Sequence, residues 1–139
     1  MIGTAEKAEF PGAEVTTILG FDALHRFLAR DAVFAAPRVS WSGYPIKMLN
    51  AMAAGKAVVA CESAAYPLTH EKTGLVVEDD DVDAYAAALL RLIEDPGLRA
   101  ELGTQARQVI LEQHQPERVG QQLGDIAVEA FDRYHTGIA

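Results

Sequence analysis

The chain has 139 residues, half of them hydrophobic, with a mean hydropathy of +0.04 and a net charge of −8 at pH 7. This length and apolar content predict a single domain over residues 1–139 and exclude a disordered chain. The acidic balance argues against binding to nucleic acid or to anionic lipid, since both require positive charge. No apolar run reaches ~18 residues, so we expect no membrane span and, given the charged start of the chain, a cytoplasmic protein.

Strand and helix signals alternate along the first half of the chain, and helix signals fill the second half. Short β-branched or apolar runs predict strands at residues 15–19, 32–36, 57–61 and 73–77, and the continuous apolar runs at 32–36 and 57–61 predict strands that are buried. Helical spacing of apolar residues predicts helices at residues 21–30, 45–54, 82–93, 98–110 and 119–134. The fold class is therefore α/β: a Rossmann-like parallel sheet of about four strands, with helices on both faces and a helical C-terminal extension.

Several candidate sites have a simpler structural interpretation. The carboxylates of Asp79–Asp81 could bind a cation. The simpler interpretation is that the dipole of the following helix stabilises them and that one of them caps its N-terminus. Asp22 is likewise expected to cap the first helix. The four histidines lack metal-ligand spacing, and only His70 lies in a loop before a predicted strand. Cys61 ends a buried strand and is expected to be a small core residue.

The turn from Pro37 to Asn50 carries the strongest signal from the residues alone. A buried strand ends there, a loop containing glycine and serine follows, and a helix begins with free N–H groups. In open α/β sheets this position binds anions such as a diphosphate. Lys47 lies in the first helical turn, where the helix dipole disfavours a cation, so an anionic partner is one explanation and a solvated lysine is the other. Asn50 shares a helix face with Lys47.

The ordered set of motifs resembles the glycosyltransferase group 1 family, also called family 4, whose members have the GT-B fold. The resemblance is carried by residues 15–20, 32–37, 42–60, 73–77 and 95–103. It implies the partial C-terminal domain of a two-domain enzyme, which binds a UDP-, GDP- or ADP-sugar without a metal ion. The domain that carries the acceptor site and the catalytic contacts is not matched by this chain.

The same resemblance implies a donor site formed by the loop and the start of the helix. The expected contacts are Ser42, Gly43, Tyr44, Pro45, Ile46, Lys47 and Asn50. In this interpretation the helix N-terminus and Lys47 hold the diphosphate, Asn50 holds the ribose, and residues 43–45 contact the sugar. The family has glutamates at the positions of Ser42 and Asn50. Replacing the ribose-binding carboxylate by an amide costs on the order of 1–2 kcal/mol, so weaker donor binding is expected.

The family's first strand, which lies at the centre of its sheet, also has no counterpart in this chain. Either the strand at residues 15–19 closes directly onto that at residues 32–36, or another chain fills the space, because open strand edges leave N–H and C=O groups unpaired. A homodimer or a split-enzyme partner is therefore expected, with a truncated chain as the alternative. Two other functions remain open: a non-catalytic interaction module that keeps the fold, and an unrelated flavodoxin-like signalling domain.

Overall fold

The computed structural model describes residues 2–4, 7–40 and 43–136, which form short parallel strands followed or connected by α-helices. In chain order the elements are β1 (Ile2–Thr4), β2 (Val15–Thr17), α1 (Gly20–Leu28), β3 (Phe34–Ala36), α2 (Ile46–Ala53), β4 (Val58–Cys61), β5 (Leu75–Val77), α3 (Val82–Glu94), α4 (Pro96–Gln113) and α5 (Pro116–Thr136). A 3-10 turn over Glu62–Ala64 follows β4. The predicted α/β class and the helical C-terminal extension are confirmed.

The strands lie in two parallel sheets rather than one. One sheet has the order β3-β4-β5, with Phe34 opposite Val58 and Val59 opposite Leu75. The other pairs β1 with β2, and Ile2 lies opposite Val15. Within the described ranges no strand pairing joins the two sheets, so β2 does not close onto β3. The outer edge of β3 consequently has no strand partner in this part of the chain.

The core is built around β4, whose four residues are all buried. Because successive side chains of a strand point to opposite faces, Val58 and Ala60 pack on one side with Met52 of α2, while Val59 packs on the other side with Leu92 of α3. Helix α4 contributes to both clusters, through Ala106 and Leu102 respectively. Helices thus cover both faces of the three-stranded sheet, as the apolar run at residues 57–61 predicts.

The end of α2 is set by Gly55, as predicted. Its N–H donates to the carbonyl of Met52 at 2.9 Å, and the N–H of Lys56 donates to the carbonyl of Ala51 at 3.0 Å. These two bonds form a Schellman motif, which requires a left-handed residue after the helix, and Gly55 has a φ of 69°. Gly103 of α4 packs directly against this turn.

The acidic residues before α3 and α4 cap those helices. The side chain of Asp81 accepts from the N–H of Ala84 at 2.8 Å, and that of Asp95 accepts from the N–H of Leu98 at 2.9 Å. The structural interpretation of the Asp79–Asp81 run is therefore confirmed at Asp81. The cap predicted at Asp22 is wrong: α1 begins at Gly20, so this carboxylate lies in the first turn, where the helix dipole still favours it.

Helix α5 extends from the rest of the described chain. Its side chains from Pro116 to His135 are exposed, including a set of large apolar ones at Leu123, Ile126, Val128, Phe131 and Tyr134. In the part of the chain that the structure describes, no helix combines the length and the apolar character needed to cross a membrane.

Candidate functional site

A cavity of about 380 Å³ opens at the carboxyl end of β3. It lies between the end of that strand, the loop that follows it and the first turn of α2. Its lining comes from Phe34, Ala35, Ala36, Pro37, Arg38, Ser40, Gly43, Tyr44, Pro45, Ile46, Lys47, Met48 and Ala64. The carboxyl edge of a parallel sheet is where ligands of open α/β folds bind, and the cavity occupies this position.

The backbone of the loop turns at Gly43 and enters α2 through Pro45. Gly43 has a φ of 74°, in the left-handed region that favours glycine. The N–H of Ile46 donates to the carbonyl of Tyr44 at 2.9 Å, and the carbonyl of Pro45 accepts from the N–H of Leu49 at 3.1 Å. Pro45 is thus the N-cap residue, one position before the helical position predicted for it, because its carbonyl already accepts the first helical bond.

The start of α2 presents positive charge to the cavity. No side chain of the described residues caps this helix, and its first turn has no acidic residue, so the N–H groups of this turn that lack a backbone partner keep their partial positive charge. Lys47 and Arg38 both line the cavity, and none of the described lining residues is acidic. On a chain with a net charge of −8, this local excess of positive charge suits an anionic ligand.

The described polar groups of the cavity are suited to binding. Its lining residues include no aspartate, glutamate, histidine or cysteine among those the structure describes. The polar groups that it does provide are the guanidinium of Arg38, the ammonium of Lys47, and the hydroxyls of Ser40 and Tyr44. These groups can hold phosphate and sugar oxygens.

The structure brings together five of the predicted donor contacts. Gly43, Tyr44, Pro45, Ile46 and Lys47 all line the cavity. The other two predicted contacts, Asn50 and Ser42, are not among the described lining residues. Asn50 lies one helical turn beyond Lys47, is half-buried and is not among the lining residues. Ser42 lies outside the described residues.

Two residues at the site were not singled out from the sequence. Arg38 lines the cavity, and its N–H donates to the carbonyl of Ala36 at 2.8 Å, so it lies in a tight turn directly after β3. His114 is 70 positions away from Tyr44 in sequence, yet its Nδ1 lies 3.1 Å from the Tyr44 hydroxyl. Arg38 could have been identified from the sequence, because it is a basic residue that closely follows a predicted strand. No sequence signal links His114 to the loop.

A second polar arrangement lies at the carboxyl edge of β4 and β5. The N–H of Ser63 donates to Oδ1 of Asp79 at 3.0 Å, and the Ser63 hydroxyl donates to Oδ2. These bonds to Ser63 lower the pKa of the Asp79 carboxyl below its ordinary range. Burial, together with the charges of Asp79 and Asp80, raises the pKa of the Cys61 thiol. Cys61 is a buried core residue, as predicted.

The loop between β4 and β5 is held by structural contacts. Nδ1 of His70 accepts from the N–H of Val76 at 3.0 Å, so this ring supports the strand. Glu71 pairs with Arg91 at 2.5 Å, and its hydrogen bond to that guanidinium lowers the pKa of the Glu71 carboxyl. Over residues 2–4, 7–40 and 43–136, no group of three or more histidine, cysteine or acidic side chains is arranged to hold a metal ion.

Both the sequence and the fold are similar to those of known proteins. Residues 2–95 match the family model described as "Glycosyl transferases group 1". A phosphatidyl-myo-inositol mannosyltransferase of Mycolicibacterium smegmatis is 41% identical over 70 residues, which cover 49% of this chain and 18% of that protein. A GDP-mannose-dependent alpha-(1-6)-phosphatidylinositol monomannoside mannosyltransferase of Mycobacterium tuberculosis is 32% identical over 131 residues, covering 88% of this chain and 33% of that protein.

Solved structures share the fold. Sucrose-phosphate synthase of Thermosynechococcus elongatus superimposes with a TM-score of 0.73 at 26% identity, covering 87% of this chain and 31% of that one. A protein of Anabaena solved in complex with UDP superimposes with a TM-score of 0.69 at 18% identity, covering 75% of this chain and 29% of that one. The chain therefore spans a third or less of the length of each of these proteins.

Proposed function

This chain belongs to the glycosyl transferases group 1 family, and on that premise we propose that it is the nucleotide-sugar-binding part of a retaining glycosyltransferase that transfers a hexose-type sugar. The cavity at the carboxyl end of β3 is the proposed donor site. The observation that carries the proposal is the cationic lining of this cavity on a chain that is acidic overall. The cavity lies beside the start of α2, which no described side chain caps.

The proposed donor contacts follow from the position of each group. Lys47 and the free N–H groups of α2 hold the diphosphate, since charge-assisted hydrogen bonds from both converge at a helix start. Arg38 lines the same cavity from the strand side and adds a second cation. Residues 43–45 contact the sugar. Asn50 and Ser42 complete the site at the ribose and the sugar, with Asn50 on the helix face that Lys47 occupies.

The nucleotide sugar is the substrate of the proposed reaction, which requires no metal ion and no further cofactor. GDP-mannose is the first donor to test, because relatives from Corynebacterium glutamicum and Mycobacterium tuberculosis are named as GDP-mannose-dependent. UDP-glucose is the second, because the Anabaena protein of the same fold was solved in complex with it.

An additional polypeptide segment is also proposed, from a second copy of this chain or from a separate partner. It would pair with the outer edge of β3 and cover the apolar side chains of α5. Unpaired strand edges and exposed apolar surface both favour association. Light scattering after size exclusion tests this proposal: a mass of twice 15.0 kDa indicates a homodimer, and a monomer at every concentration favours a separate partner.

Titration of the ¹⁵N-labelled chain with UDP, GDP, ADP and their sugar conjugates tests the donor site. We expect amide shifts confined to residues 43–50 with one nucleotide. Lys47→Ala should weaken that binding about ten- to a hundredfold, the range of charge-assisted hydrogen bonds, without unfolding the chain. Lys72→Ala is the matched control, because Lys72 is an exposed lysine that does not line the cavity.

The outcome separates the proposed donor site from the alternative. A well-dispersed spectrum that no nucleotide perturbs would contradict donor binding and favour a non-catalytic interaction module, for which the loss of two glutamates at Ser42 and Asn50 is the motivating observation. Equal affinity in the Lys47→Ala variant and the wild type would contradict the role given to Lys47.

A further inference from the structure

His114 occupies the junction between α4 and α5 and reaches the loop of the cavity. It ends α4, where its N–H donates to the carbonyl of Ile110 at 3.0 Å. Its Nδ1 lies 3.1 Å from the hydroxyl of Tyr44, and its ring meets that of Tyr66 edge-on with centroids 6.5 Å apart. The C-cap residue of α4 thereby contacts a cavity-lining residue from a distant part of the chain.

Within the described part of the chain, few other contacts hold the Tyr44 side chain. It is 59% exposed and lies in the loop, one residue after the left-handed Gly43 and two before α2 begins. The carbonyl of Tyr44 accepts from the N–H of Ile46, so its backbone forms part of the turn into the helix. A hydrogen bond that restrains the Tyr44 ring therefore also restrains the turn.

The position of the His114 imidazole is fixed by the packing of α4, which His114 follows directly. Helix α4 packs against α2 and the sheet through buried Leu102, Gly103 and Ala106, so its end is a fixed point relative to the start of α2. The Nε2 atom of His114 is buried and has no hydrogen-bond partner among the described residues. A buried nitrogen without a hydrogen-bond partner lowers the stability of the fold, so core stability does not explain a histidine at position 114. The hydrogen bond between its Nδ1 and Tyr44 does explain it.

We propose that His114 is a positioning residue for the donor site: its hydrogen bond to Tyr44 holds the loop of residues 43–47 in the conformation that lines the cavity. This inference rests on the proposed function only for the identity of the ligand. The restraint on the loop exists in the free protein and is measured there.

The test compares His114→Phe, Tyr44→Phe and the double variant, in the full chain labelled with ¹⁵N. Phenylalanine keeps a ring at position 114 and removes both nitrogens, so the fold is retained and the unpaired Nε2 is eliminated. Each single variant should speed hydrogen exchange of the Ile46 amide about two- to tenfold, the range of one hydrogen bond. The double variant should exchange no faster than the faster single variant, because both substitutions break the same bond.

Affinity for the nucleotide identified by titration gives the second measurement. Each single variant should bind it about two- to tenfold more weakly, and the double variant should lose nothing further. His114→Asn places a polar atom near the position of Nδ1 and should recover part of both losses, which a purely structural role would not predict. His135→Phe and Tyr134→Phe are the matched controls on α5 and should change neither measurement.

The outcomes distinguish this inference from the proposed function. If the wild type binds no nucleotide but the variants loosen the loop as described, donor binding fails and the positioning role stands. If nucleotide binds and the His114→Phe variant leaves both Ile46 exchange and affinity unchanged, the positioning role is overturned. Additive effects in the double variant would overturn it as well.

Discussion

Gly103 of α4 lies against the backbone of Gly55, where α2 ends. A Cβ at residue 103 would overlap the carbonyl oxygen of Gly55 and lie 2.9 Å from its carbonyl carbon. The absence of a side chain at Gly103 allows α4 to approach the turn after α2 more closely than any other residue at this position would. Since α2 spans eight residues, about 12 Å, this contact fixes one end of the helix whose other end borders the cavity.

Gly103→Ala should therefore destabilise the fold although alanine is the better helix former. The added methyl group forces α4 away from Gly55, and overpacking of this kind costs about 1–3 kcal/mol. Urea unfolding followed by circular dichroism measures the difference. Gly120→Ala is the matched control: Gly120 lies in α5, a Cβ there would meet no described atom of another element within 4 Å, and the substitution should stabilise by about 0.5–1 kcal/mol. Equal stability of the Gly103→Ala variant and the wild type would contradict the tight crossing.

Asn50→Glu should strengthen donor binding. A carboxylate accepts hydrogen bonds from both ribose hydroxyls, whereas the Asn50 amide has a single acceptor oxygen, and the difference is about 1–2 kcal/mol, roughly tenfold in affinity. The new charge also lies three residues from Lys47 on the same helix face, which favours the helix. Calorimetric titration with the nucleotide identified by NMR measures the gain.

Asn50→Gln is the control for this substitution, because glutamine has the length of glutamate and the amide of asparagine. It should bind no more tightly than the wild type. If the Asn50→Glu variant also bound no more tightly, Asn50 would not be a ribose contact. That outcome would agree with the position of Asn50 outside the residues that line the cavity.

The elements that sequence reasoning located correctly are those with a local signal. The β-branched and apolar run at residues 57–61 predicts a strand buried on both faces because both faces require apolar residues, and β4 is fully buried. Gly55 marks the end of α2 because a left-handed position needs glycine, and Asp81 caps α3 because its carboxylate can accept from the helix. Each of these features depends on residues within about five positions of each other.

Features that depend on distant residues were not predictable. The contact of His114 with Tyr44 spans 70 positions, and nothing in either neighbourhood encodes it. The division into two sheets depends on which strands pair with each other. The sequence of a strand of three or four residues does not indicate which strand it pairs with. Similarly, which residues of α2 line the cavity depends on how the helix packs in the core, so helical spacing placed Asn50 with Lys47 without placing it at the cavity.

The pair of Ser63 and Asp79 should make stability depend on pH in the acidic range. Hydrogen bonds from Ser63 lower the pKa of the Asp79 carboxyl below its ordinary value of 3.8. A carboxyl with a lowered pKa in the folded state stabilises that state fully above its ordinary pKa, and the contribution is lost as the pH falls through the lowered value. Ser63→Ala should therefore be less stable than the wild type at pH 7, and the difference should shrink below about pH 3.8.

Carbon-detected NMR titration of the Asp79 carboxyl provides a direct measurement. Its midpoint should move up toward the ordinary value in the Ser63→Ala variant, and Thr104→Ala, on the exposed side of α4, should leave it unchanged. A midpoint that is the same in the Ser63→Ala variant and the wild type would show that Ser63 does not cause the lowered pKa.

Cys61 should react with thiol reagents only when the chain opens. It is 6% exposed at the end of β4, and burial together with the charges of Asp79 and Asp80 raises the pKa of its thiol, which reduces the reactive thiolate. Labelling with a disulfide reagent in native buffer should therefore be slower than in urea by at least about a hundredfold, since it requires opening of the central strand. A Gln121→Cys variant in a Cys61→Ser background places the thiol on exposed α5 and should label at once in both conditions. Rapid labelling of Cys61 in native buffer would mean that the carboxyl end of β4 opens without unfolding of the whole chain. Ala64, which lines the cavity, and α2, which packs on β4, would then lose a rigid support.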